Sequence, residues 1–183
     1  MSTVVSLGVM QSLIAQFAAF QAALLLASGL HKWIARGRTR TVLTEFAGVP
    51  RRLAPFAAAA VASAEALAGV LLWVPSWRAA GAVLAALLWG GYLSLILHAI
   101  ARGRRDVDCG CSFGAAQRPL GAYQVLRNAV LTGSALLVAA ACEAGAVQPF
   151  LPSQVLAGLA FLALYGALDQ TMSLTAPRSG ELL

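Results

Sequence analysis

"LAPFAAAAVASAEALAGVLLWV", residues 53–74, decides how this chain is read, because its 22 residues hold a single charged group, Glu65. A helix rises about 1.5 Å per residue, so such a run covers the roughly 30 Å of a bilayer's hydrocarbon core. A water-soluble helix of that length would carry a polar face, and this one has none.

Four further apolar runs lie on either side, at residues 12–30, 79–100, 121–142 and 151–168. Pro75 marks a tight hairpin after the first quoted run, and Pro149 and Pro152 separate the last two. The chain is 60% hydrophobic and 11% charged, against about 25% charged residues in an ordinary soluble domain. In lipid every backbone polar group must be satisfied internally, which excludes an open sheet. The expectation is an all-α polytopic integral membrane bundle of five transmembrane helices, one domain over residues 1–183, with a polar loop at 101–120.

The net charge of +6 does not point to nucleic acid, because the basic residues flank apolar spans instead of forming a soluble basic domain. Lys32, Arg36, Arg38, Arg40, Arg51 and Arg52 follow the first span, and Arg102, Arg104, Arg105 and Arg118 follow the third. Only Arg78 falls between the second and third, and Glu143 follows the fourth. The positive-inside rule therefore predicts a cytoplasmic 101–120 loop and an N-terminus outside. The opening "MSTVVSLGVM" has no basic n-region, so the first span reads as retained rather than cleaved.

That loop carries "DVDCGCSFG", residues 106–114, with two of the three cysteines, Cys109 and Cys111. An exposed thiol pair exchanges electrons with another pair through a mixed disulfide. A ring closed across one residue is strained and easy to reduce, and Gly110 gives the backbone freedom to close it. The plain alternative is two unreactive loop thiols. A metal site built from Cys109, Cys111, His98 and Asp108 ranks lower, since structural zinc favours wider cysteine spacing. Cys142 lies about 30 Å along the fourth helix and is expected to be a passive buried thiol.

Glu65 is the costly residue. An acid at mid-span faces other helices or a wet cavity. Arg127 and Asn128 are candidate partners, although Arg127 has an equal claim to snorkel to the surface. His31, Lys32, His98 and Asp169 share a depth near the basic end of the bundle. His98 leads into the cysteine loop and is the better proton partner. His31 reads as part of an interfacial belt with Trp33.

"SGLHKW" at residues 28–33, Glu65 within the second span, and "DCGCSFG" at residues 108–114 together resemble the MauE family, within a wider DoxX-like group. The resemblance covers most of the chain. It implies a multi-pass protein of the bacterial inner membrane. It also implies that Cys109 and Cys111 form a redox pair in methylamine utilisation, acting with a thioredoxin-like, MauD-type partner in maturation of a disulfide-rich amine dehydrogenase. Glu65 and Lys32 match family positions without an assigned role. A periplasmic partner and a cytoplasmic loop conflict, and a re-entrant loop, electron supply from the cytoplasm, or a breach of the charge rule would each reconcile them.

Three functions follow as expectations: a membrane thiol–disulfide relay, possessing oxidoreductase activity; a non-catalytic assembly scaffold; and a quinone- or small-molecule-binding protein centred on Glu65. No cofactor beyond that quinone is implied.

Overall fold

A computed structural model describes residues 2–104, 120–145 and 149–174, with side chains over 8–104, 120–145 and 149–171. Six α-helices appear in these segments: α1 (Ser2–Ile34), α2 (Arg36–Glu45), α3 (Ala54–Trp73), α4 (Arg78–Ala101), α5 (Ala122–Glu143) and α6 (Pro152–Leu174). Five of them supply stretches of 20 to 27 residues that are long and apolar enough to cross a bilayer. The fold is therefore the expected all-helical membrane bundle. The pair Cys109 and Cys111 lies outside the described residues.

The helix ends follow from local chemistry. Val74 precedes Pro75 and is extended, with φ −87° and ψ 117°, as the steric demand of a following proline requires. One turn of 3-10 helix, Pro75–Trp77, then reverses the chain into α4. Pro152 opens α6 at a position where its missing N–H costs nothing. The helix α2 is the element that the sequence did not announce. Its run "RGRTRTVLTE" is polar and buries no residue fully, but it lies against α3.

α1 is central and touches α3, α4, α5 and α6. Its inward positions are Ala18, Ala22, Leu24 and Leu25, all nearly inaccessible. The larger apolar side chains of the other helices, such as Phe56, Leu87, Leu126 and Leu137, point outward. Many buried positions are alanine, with Leu24, Leu25 and Leu72 filling between them, and this abundance of small residues at helix contacts is expected where lipid replaces water and helices associate by close packing. Gly158 of α6 shows how close: a Cβ there would lie 2.8 Å from the backbone nitrogen of Phe20.

Candidate functional site

The polar groups that the apolar spans carry are gathered into a few internal clusters. The first joins α1, α3 and α4. Glu65 is fully buried. The Lys32 ammonium, in the last turn of α1, donates to Oε1 at 2.8 Å and to Oε2 at 2.9 Å of its carboxylate. The same Nζ donates to Ser28 Oγ at 2.7 Å. From α4 the Tyr92 hydroxyl donates to Glu65 Oε1 at 2.6 Å. The ammonium also stands 5.6 Å from the centroid of the Tyr92 ring. Gly29 makes the approach feasible, since a Cβ there would sit 2.9 Å from the carbonyl oxygen of Ala62. That contact falls one turn from the ion pair on both helices. A charged pair withdrawn from water is tolerated when further hydrogen bonds complete it, and here Ser28 and Tyr92 supply them.

Tyr92 leads to a second polar group. Its ring meets Trp89 edge-on, with centroids 5.8 Å apart. Trp89 Nε1 donates to Gln21 Oε1 at 2.7 Å. Gln21 Nε2 donates to the Leu131 carbonyl and to Ser134 Oγ, each at 2.8 Å. One amide on α1 thus fastens α4 and α5 together.

Arg127 does not serve Glu65, contrary to the sequence reading. Its Nη1 donates to Asp169 Oδ1 at 3.2 Å, joining α5 to α6, and both side chains are buried. Burial also excludes snorkelling to the surface. The rings of Tyr123 and Tyr165 flank the guanidinium at 5.9 Å each. Asn128 is fully buried, and its Nδ2 donates back to the Gln124 carbonyl at 2.9 Å. It too is no partner of Glu65. The reason is geometric: α3 packs on α1, α2 and α4 and does not touch α5, so the polar partners of Glu65 come from α1 and α4.

A narrow cavity of about 50 Å³ adjoins the ion pair beneath α2, bounded by His31, Lys32, Thr39, Phe46, Tyr92 and Ile96. That is room for a few water molecules. His31, read as a belt residue, thus shares a cavity wall with Lys32 and Tyr92. His98 is exposed on the last turn of α4. Cys142 is half-buried rather than buried, and it lines a different cavity at the opposite end of the bundle.

The two ends of the segment that carries Cys109 and Cys111 are described. On one side, Arg104 Nη2 donates to the Glu45 carbonyl at 2.5 Å, at the end of α2. On the other, Leu120 is buried and clusters with Ile96 and Ala99 of α4. Gln124 then caps α5 by accepting from the Gly121 N–H at 3.0 Å. The cysteine segment therefore leaves and rejoins the bundle at the end where Lys32 meets Glu65.

Among the described residues, no group of three or more His, Cys, Asp or Glu side chains is placed to hold a metal ion. Three of the four donors of the metal reading, Cys109, Cys111 and Asp108, lie outside those residues. Sequence reasoning passed over Tyr92, Gln21 and Trp89. The signal was present in Gln21, an amide within the apolar run "FAAFQAALLL".

The family described as "Methylamine utilisation protein MauE" matches residues 10–141. A relative from Paracoccus denitrificans named "Methylamine utilization protein MauE" is 33% identical over 145 residues, covering 75% of each chain. No solved structure matches. The matched span takes in Lys32, Glu65, Tyr92, Gln21 and the cysteine segment, and the chain belongs to the MauE family.

Proposed function

We propose that this protein is a membrane thiol–disulfide relay acting in methylamine utilisation, where it supports disulfide formation in a partner such as the amine dehydrogenase. A partner thiolate attacks one sulfur of a Cys109–Cys111 disulfide, and the other sulfur leaves and takes a proton. The partner's second thiolate then displaces the mixed bond. The partner gains a disulfide, and the Cys109–Cys111 pair gains two electrons and two protons. A second disulfide, carried by a thioredoxin-like protein, or a quinone takes those electrons back. The observation that supports this reading is where the segment carrying the pair in the sequence is anchored to the bundle. The described residues on either side of it, Arg104 and Leu120, are fastened at the end of the bundle that holds the Lys32–Glu65–Tyr92 cluster.

The cluster itself favours a second reading, a non-catalytic assembly scaffold. Lys32, Glu65 and Tyr92 bind three helices to one another. They are fitted to hold the bundle's shape rather than to turn over a substrate.

One experiment separates the two. Cells are quenched with acid and alkylated, and the modification state of Cys109 and Cys111 is measured by mass spectrometry before and after a reductant pulse. The relay predicts a pair that cycles, and a Cys109→Ser/Cys111→Ser variant that no longer yields disulfide-bonded amine dehydrogenase. A pair that never changes state, with the double variant fully active, leaves the scaffold.

A further inference from the structure

A groove of about 60 Å³ runs between α2 and the first turns of α3. One wall is Pro55, Ala58, Ala59 and Ala62 of α3. Ala62 stands one turn from the buried Glu65, so the groove leads from the rim of the bundle towards the bilayer centre. The other wall carries charge. Arg36 and Arg40, one turn apart on α2, both line it, and both are exposed. The Arg36 Nε donates to the Trp33 carbonyl at 2.9 Å, and its guanidinium carbon stands 4.4 Å from the centroid of the Trp33 ring. These contacts fix the guanidinium plane and leave Nη1 and Nη2 for a ligand. Arg40 has no polar partner among the described residues. Lys32 also borders the groove, but its ammonium is taken by Glu65 and Ser28. Among the described residues no carboxylate lines the groove. Glu45, the acid of α2, lies at the far end of that helix from Arg36.

We infer that this groove binds an anionic phospholipid, with its phosphate held by Arg36 and Arg40 and an acyl chain laid along the alanine wall of α3. Side chains at i and i+4 of a helix start about 5–6 Å apart, close enough for two guanidinium groups to share one phosphate. Each offers paired N–H donors that match the phosphate oxygens. Basic pockets beside membrane spans take anionic headgroups for the same reason. The apolar wall favours a lipid over a free anion. From Pro55 to Ala62 it follows about 10 Å of helix, and its small side chains leave a furrow for a chain. Enclosed ligand pockets commonly start at about 300 Å³, so the occupant of this one extends beyond it into the bilayer. Trp33, 37% exposed beside Arg36, is of a residue type that settles at headgroup level. The site makes no use of the cysteine pair and stands whether or not the relay does.

The test uses the full chain, stripped of lipid in a neutral maltoside detergent and mixed with dioleoylphosphatidylglycerol or dioleoylphosphatidylcholine. Bound lipid is counted by native mass spectrometry. The first phosphatidylglycerol is expected to bind at least about five-fold more tightly than phosphatidylcholine. Arg36→Gln/Arg40→Gln is expected to bring that ratio close to one. Arg51→Gln/Arg52→Gln removes two exposed charges that do not line the groove, and is expected to keep the preference. Ala59→Leu fills the furrow and leaves both guanidinium groups in place, and is expected to weaken phosphatidylglycerol binding. Glycerol phosphate, a headgroup without chains, is expected not to displace the lipid at equal concentration. Equal binding of the two lipids to the wild-type chain overturns the inference. So does an equal loss of preference in the Arg51/Arg52 variant, which would mean a diffuse basic surface. Displacement by glycerol phosphate, the mark of a site for free anions, or unchanged binding in Ala59→Leu overturns it as well. Each variant is read as a monodisperse species by size exclusion, and the two wild-type arms decide the matter where a variant fails to fold.

Discussion

Lys32 and Glu65 meet at 2.8 Å across the interface of α1 and α3, with the carboxylate sealed from solvent. A pair of that kind contributes little net stability over a well-packed apolar pair, yet breaking it from one side strands a charge. The loss is then about 3–5 kcal/mol. Glu65→Leu alone and Lys32→Met alone are both expected to lower the melting temperature of the detergent-solubilised protein strongly. The double variant should recover much of the loss. Additive losses in the double variant would show that the two residues act separately.

Tyr92 touches the pair in two ways, by its hydroxyl and by its ring. Tyr92→Phe keeps the ring and its edge contact with Trp89, and removes one bond to a charged acceptor. About 1.5–3 kcal/mol should go with it. Tyr92→Ala should cost more, and the difference between the two variants measures the ring. Thermal unfolding followed by tryptophan emission resolves both, because Trp89 lies against the ring.

Arg127 and Asp169 form an analogous pair between α5 and α6. A double-mutant cycle with Arg127→Leu and Asp169→Leu is expected to show a coupling of roughly 1–3 kcal/mol. A coupling near zero would mean that the flanking tyrosines, rather than the carboxylate, hold the guanidinium.

Gly158 and Phe20 lie in backbone contact. Gly158→Val forces α6 away from α1. Overpacking of this sort costs about 1–3 kcal/mol or more, and a smaller monodisperse peak on size exclusion is the expected sign. Gly166 has nothing within 4 Å of its would-be Cβ, so Gly166→Val serves as the control and should leave the peak unchanged.

The spans were legible because lipid imposes a length on any helix that crosses it, and the apolar runs around residues 53–74 and 79–100 meet that length with Pro75 between them. α2 was not legible. Arg36, Arg38 and Arg40 read as loop charge, and the helix is held by its contact with α3 rather than by an apolar stripe of its own. Glu65 stood out from its neighbours at once, since a mid-span acid is expensive. Its partner did not. Lys32 sits almost at the end of α1, whereas Glu65 lies roughly 16 Å into α3. The two come level because α1 ends short of the level at which α3 begins, and α2 and its flanks cover the difference. Arg127 looked like the nearer cation from its depth alone. That inference failed because depth says nothing about which helices are neighbours.

Gln21 and Lys32 stand about three turns apart on α1 and so project from nearly the same side of it. Each is tied to a helix that comes later in the chain: Lys32 to α3, and Gln21 to α4 and α5. During insertion α1 enters the bilayer first, with both groups still searching for company. The first finds it when α3 arrives, and the second is not complete until Ser134 has crossed. Such a keyed shaft turns neither way afterwards, and a chain halted before α5 is an unfinished one, open to capture by whatever membrane quality control watches for polar groups in lipid.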